Sequence, residues 1–123
     1  MKKYSGAWID SHIHFFALSE GRYDWLKPAN APFWPDKKVI AKHTTEHMLY
    51  RASLGRLGGF VHVEAGFDNE RPWREIAFLE RHCTLPFRSI GCIDLTGNHV
   101  GSHIDKLNNY RSVRGLRHIL DDE

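Results

Sequence analysis

Ala7-Trp8-Ile9-Asp10-Ser11-His12-Ile13-His14-Phe15 is a short, apolar and β-branched run that reads as a strand with two histidines at its carboxyl end. Three later segments have the same character, at residues 59–65, 88–95 and 113–120. Between the second and third, Pro72 suits the first turn of a helix. Trp73, Ile76, Ala77 and Cys83 then recur at helical spacing until Leu85-Pro86 stops them. Thr44 or Thr45 suits the cap of an earlier helix that carries Met48, Leu49, Ala52 and Leu57 on one face and ends at Gly58-Gly59. Val100, Ile104 and Leu107 mark a third helix, weakened by Gly101 and two asparagines. The order β-α-β-α-β-α-β predicts the α/β class. Four parallel strands should lie adjacent in the order 1-2-3-4, joined by right-handed crossovers and covered by helices.

The 123 residues fit one domain, and 41% hydrophobic with 26% charged residues is enough apolar material for a core. Seventeen Lys and Arg against fifteen Asp and Glu leave a net charge of +2, scattered along the chain, so no basic stripe for nucleic acid is present. No uncharged run is long enough to span a bilayer, and Met1-Lys2-Lys3 meets Asp10, His12 and His14 before an apolar secretion signal can develop. Cys83 and Cys92 are not in a CxxC and are expected to be reduced and buried, which points to the cytoplasm.

Side chains two apart on a strand point the same way, so His12 and His14 project together with imidazoles able to share one divalent cation such as Zn²⁺. The competing reading is two packed or solvated histidines. The connection after this strand, residues 16–43, holds Pro28, Pro32 and Pro35 with Tyr23, Trp25, Phe33 and Trp34 and little helical period. A structured loop of this length after a strand's carboxyl end either helps to build a ligand site or covers the sheet.

The D-x-H-x-H-F start, Tyr23-Asp24-Trp25-Leu26, Gly59-Phe60-Val61-His62-Val63-Glu64-Ala65 and Arg114-Gly115-Leu116-Arg117-His118 resemble the amidohydrolase-2 family. Within it the likeness is to the metal-dependent hydrolases and lactonases that include fuconolactonase and pyrone-dicarboxylate lactonase, and it runs from Trp8 to the last residue. The resemblance implies a (β/α)8 TIM barrel of which residues 1–123 supply the N-terminal half, four strands and three helices. It also implies metal-assisted hydrolysis of a lactone or related cyclic ester or amide, with His12 and His14 binding a divalent ion, Zn or Mn. A further metal-site histidine and the aspartate that activates water would come from the second half, so this chain alone is expected to be inactive.

Glu64 is a candidate for substrate binding or for orienting a metal ligand, and alternatively for a structural pair with Arg117. Arg117 and His118 are further substrate-binding candidates, because an Arg fork suits a carboxylate or a developing oxyanion. Being adjacent, only one of the two can point into a barrel. His43 with His47, and His99 with His103, have i, i+4 spacing but no HExxH carboxylate, so each pair reads as a solvated helix face. The expected partner is a small-molecule lactone or carboxylate substrate. The open sheet edge of a half-barrel predicts self-association or a complementary C-terminal half. Two alternatives stand beside the hydrolase: a non-catalytic truncated half-barrel, and a nuclease-like hydrolase of the TatD type. The near-neutral charge and the aromatic, proline-rich loop count against the nuclease.

Overall fold

The computed structural model describes residues 6–120, so Asp121, Asp122 and Glu123, expected in the loop after the fourth strand, lie outside the described residues. Four strands, β1 Trp8–Ile13, β2 Leu57–Val63, β3 Phe87–Cys92 and β4 Val113–Arg117, form one parallel sheet in the order β1-β2-β3-β4. The helices are α1 Lys37–Ile40, α2 Glu46–Ala52, α3 Trp73–His82 and α4 Val100–Asn108, with a 3-10 turn at Asp24–Leu26. The α/β class and strand order predicted from the βα alternation are present, in an arrangement consistent with a half-barrel. No described helix is long and apolar enough to cross a membrane.

Several elements differ in extent from the sequence reading. His14, Phe15, Glu64 and Ala65 lie beyond the strands: the Glu64 N–H still reaches the Ile90 carbonyl of β3 at 2.9 Å, and from Ala65 on side-chain carboxylates take the main-chain N–H groups instead. Thr45 caps α2, its Oγ1 accepting the Met48 N–H at 3.2 Å. That helix stops at Ala52 rather than at Gly58. Leu54 and Gly55, at φ 55° and 74°, reverse the chain there and release Leu57 into β2. The connection of residues 16–43 contains α1 and the 3-10 turn, and three expected helices become four. Its fold depends on Lys37, 5% exposed, whose Nζ donates to the carbonyls of Lys27 and Asn30 at 2.8 and 2.6 Å, a contact with no periodic signature. The cysteines are free thiols and only half-buried.

Helices α2, α3 and α4 lie on one face of the sheet. Phe60 packs with Phe15 and with Leu79 of α3, Leu49 of α2 joins them, and Leu107 of α4 lies over Gly91. On the same face a buried polar chain ties β2, β3 and α3 together. His62 Nε2 donates to Glu75 Oε1 at 3.0 Å, since a carboxylate only accepts. In the neutral ring Nδ1 then accepts the Ser89 hydroxyl at 3.2 Å. Glu75 also accepts the Ala65 N–H, at 2.9 Å. The connectivity is that of a serine–histidine–carboxylate triad with the ring nitrogens exchanged, but the three residues are 0 to 3% exposed, so no substrate reaches them. Its role is structural. Replacing Glu75 by Ala orphans the buried His62 N–H and Ala65 N–H, and is expected to lower stability by about 3 kcal/mol or more, with Glu75→Gln intermediate. Urea unfolding followed by circular dichroism measures this, and a loss under about 1 kcal/mol would contradict the assignment.

Candidate metal centre

The register of β1 on β2 explains how the two histidines come to face one point. Asp10 pairs with Phe60 and Ile13 with His62, so three steps on β1 match two on β2 and one residue is extra. Asp10 Oδ1 accepts the His12 N–H at 3.0 Å and holds this bulge. Asp10 and Ile13 both align with helix-facing residues of β2, so His12 and His14, on either side of Ile13, project from the opposite face. Their Nε2 atoms are 3.1 Å apart and their rings meet at 73°.

His14 is fixed by its other nitrogen. Nδ1 lies 2.8 Å from the Val63 carbonyl, which only accepts, so Nδ1 carries the hydrogen and the Nε2 lone pair points toward His12. A carbonyl holding the far N–H is how protein metal sites set the tautomer of a ligating histidine. Two imidazoles on one tetrahedral Zn²⁺, at Zn–N of about 2.0–2.1 Å, place their nitrogens roughly 3.3 Å apart, and the spacing here fits. The pair supplies two donors. Among the described residues no group of three or more His, Cys, Asp or Glu side chains could hold a metal ion, so the donor set suits a divalent cation but does not complete its coordination.

Glu64 and Arg117 are brought together at the same end of the sheet. Glu64 is 1% exposed. Its Oε1 accepts Arg117 Nε at 2.9 Å and Nη2 at 2.7 Å, its own carbonyl accepts Nη2 at 2.9 Å, and Oε2 accepts the Gly66 N–H at 3.0 Å. This is the structural pair weighed in the sequence. The Arg117 side chain keeps 34% of its surface, and its Nη1 bonds no described residue. His118 takes the other direction: its Nδ1 accepts the Leu95 N–H at 2.9 Å and sits 3.8 Å from Asp94 Oδ1, in the loop after β3. Of the adjacent pair, Arg117 belongs with Glu64 and His118 with that loop.

The long first connection closes over this end of β2. Trp25 Nε1 donates to the Ala65 carbonyl at 2.8 Å, and its ring lies 2.6 Å from where a Cβ on Gly66 would stand, so only glycine, at φ +70°, fits there. Trp25 stacks on Trp34, while Tyr23, Leu26 and Phe67 make a core of their own. The loop also forms a hollow of about 610 Å³ lined by Leu26, Phe33, Trp34 and Lys37, which neither His12 nor His14 lines. His99 and His103 stack at 5.8 Å beside Trp73, and His43 and His47 line a separate hollow between α2 and α3.

The sequence reading did not single out the Val63 carbonyl, Glu75 or the bulge. Glu75 does leave a signal, since it shares the buried face of α3 with Ile76 and Leu79, where an unpaired carboxylate would be costly. A main-chain carbonyl has no signal in a single sequence. Comparison with protein families, with curated proteins and with solved structures finds no match to this chain.

Cys92 stands near the candidate centre, and burial, with the Glu64 and Glu75 carboxylates adding to it, pushes its thiol up to about 12. Burial raises Cys83 to about 12 as well. Neither is a thiolate nucleophile at neutral pH. Both are expected to react with a disulfide reagent at pH 8 at least about 100-fold more slowly in the folded chain than in urea. Because the folded state holds these protons more tightly than the unfolded one, the stability they contribute is present below pH 9 and lost as pH rises toward 12. Rapid labelling of either thiol in the native chain would contradict the assignment.

Proposed function

We propose that this chain carries the first half of the active site of a metal-dependent hydrolase that acts on a lactone or a related cyclic ester or amide. The observation that supports it best is the convergence of His12 Nε2 and His14 Nε2 at 3.1 Å, with the His14 tautomer set by Val63, at the carboxyl end of a parallel α/β sheet. His12 and His14 would hold the divalent ion, Zn or Mn. The chemistry such an ion supplies when bound is polarisation of a substrate carbonyl and acidification of a water. Arg117 is the group for a substrate carboxylate: Glu64 holds one edge of its guanidinium and leaves Nη1 to bind. Glu64 acts through Arg117, as a positioning residue. Among the described residues no carboxylate bonds either histidine ring.

A second reading, a half-barrel without catalysis, is favoured by one observation: the sheet face away from the helices is open, with Ile9 65% exposed.

Calorimetry with Zn²⁺ and Mn²⁺ tests the hydrolase reading first. Binding is expected to weaken at least about tenfold in His12→Ala and in His14→Ala, and a chain that binds neither ion would overturn the reading. Turnover of sugar lactones and cyclic dicarboxylate lactones by the monomeric chain is expected to be slow, since general base catalysis alone is worth about 10²- to 10⁴-fold. Whatever metal-dependent rate is observed should vanish in the His12→Ala/His14→Ala variant. Metal binding without hydrolysis under any condition would favour the non-catalytic half-barrel.

A further inference from the structure

Among the described residues three surfaces of the sheet have no partner: the outer edge of β1, the outer edge of β4, and the face turned away from the helices. Parallel sheets are ordinarily covered on both faces. Here Trp8 and Ile9 of β1 are 45% and 65% exposed, Val61 and Ile90 are half-buried, and Ile119 and Leu120 just past β4 are 50% and 87% exposed.

We propose that a second copy of this chain covers these surfaces, β1 of each copy pairing in parallel with β4 of the other about a twofold axis along the strands. Three observations carry this. The first is strand direction. Both free edges belong to one parallel sheet, so a β4 edge continues the sheet in the same sense only against a β1 edge, and two sets of four strands close the ring at eight. Eight is the count at which side chains just fill the interior. The second is charge. Asp10 is the only Asp, Glu, Lys or Arg on β1, and its carboxylate accepts the His12 main-chain N–H but enters no ion pair among the described residues. Arg114 on β4 donates to the carbonyls of Arg111 and Val113 and likewise enters none. A β1–β4 junction brings opposite charges to the two strands that meet, whereas β1–β1 or β4–β4 pairing brings like charges together. The third is area. A four-stranded face about 19 Å wide and 20 Å long offers on the order of 400 Å² per copy, about half of what a standard interface buries per partner, and the two ladder edges with the projecting side chains of Trp8, Ile9, Ile119 and Leu120 add to it.

The consequence for the candidate centre rests on the hydrolase reading above. In the closed ring the strand next to β1 is β4 of the second copy, so Arg117 of that copy comes to the mouth beside His12 and His14, while its His118 stays turned to the loop after β3. Both histidine pairs and both Arg117–Glu64 pairs then share one mouth. A site with two donors in each copy is completed by its neighbour.

Sedimentation equilibrium of the full chain, with hydrogen exchange at low and high concentration, tests the docking. A dimer is expected, with protection rising in the main-chain amides of both β1 and β4. Arg114→Glu sets a like charge against Asp10 at both junctions and is expected to raise the dimer dissociation constant roughly tenfold, as is Asp10→Lys. The Asp10→Lys/Arg114→Glu double variant should dimerise more tightly than either single variant, by about threefold or more, without reaching the original chain, because Asp10 also holds the β1 bulge; a double variant as weak as the product of the two single losses would overturn the Asp10–Arg114 junction. Circular dichroism excludes the trivial outcome of unfolding, and the exchange experiment on the unaltered chain does not depend on any variant. A monomer up to about 1 mM, protection confined to β1, or open-ended polymers would each overturn the two-copy ring. A dimer that binds no Zn²⁺ supports the docking and removes the metal reading, whereas a monomer whose Zn²⁺ binding depends on His12 and His14 does the reverse.

Discussion

The Glu75 carboxylate, buried under α3, fixes the end of β2, and the arrangement of the candidate centre follows from where β2 ends. Glu75 holds the Ala65 N–H and the His62 ring together, and three consecutive residues of that strand end do separate tasks. The Val63 carbonyl orients His14, Glu64 grips Arg117 across β3, and the Ala65 carbonyl receives Trp25 from the long loop. A shift of β2 by one residue would exchange the faces of all three and break these bonds at once. Burying a carboxylate in this position is tolerable only because each of its contacts is a donor that would itself be orphaned without it.

The histidine pair shows how a small irregularity sets chemistry. In an unbroken strand Asp10, His12 and His14 would share one face, and a carboxylate would sit in line with the two imidazoles. The extra residue in β1 turns Asp10 toward the helix side and uses its side chain to stabilise the bulge, which leaves the imidazoles free of an adjacent carboxylate. His12 and His14 therefore present nitrogen donors alone, with the tautomer of one set by a main-chain carbonyl. That donor type suits a borderline divalent cation better than a hard one such as Mg²⁺.

Much of this fold was legible in the sequence, because it is written in periodicities. The four β-branched runs, the cap at Thr45 and the apolar spacing of Trp73, Ile76 and Ala77 each reported an element that is present. The His12–His14 convergence was legible too, since it needs only two residues on one side of a strand end. The helical turn at Lys37–Ile40 was not legible: a buried ammonium on two carbonyls organises it, and lysine in a loop ordinarily signals solvent. Nor was the bulge, because an extra residue changes register without changing composition. The choice between Arg117 and His118 stayed open for a related reason. Alternation says that the two diverge, and only the partners at hand, Glu64 for one and the Leu95 N–H for the other, say which way each goes.

The open face bears directly on the chemistry. A charge interaction at a solvated sheet surface is screened, and an imidazole pair or a guanidinium standing in water loses most of its advantage over water itself. Glu64, at 1% exposure, already sits in a dry environment, whereas His12 is exposed and Arg117 keeps a third of its side chain in solvent. The centre is thus dry on the side of β2 and wet on the side of β1. Whatever covers β1 and the open face removes water from the wet side; on the hydrolase reading proposed above, the lower local dielectric would strengthen the pull of a cation held by His12 and His14, and of Arg117, on a substrate carbonyl or carboxylate. In a barrel the same closure that buries Ile9 would enclose His12, so the packing of the open face and the drying of the candidate centre would be one event.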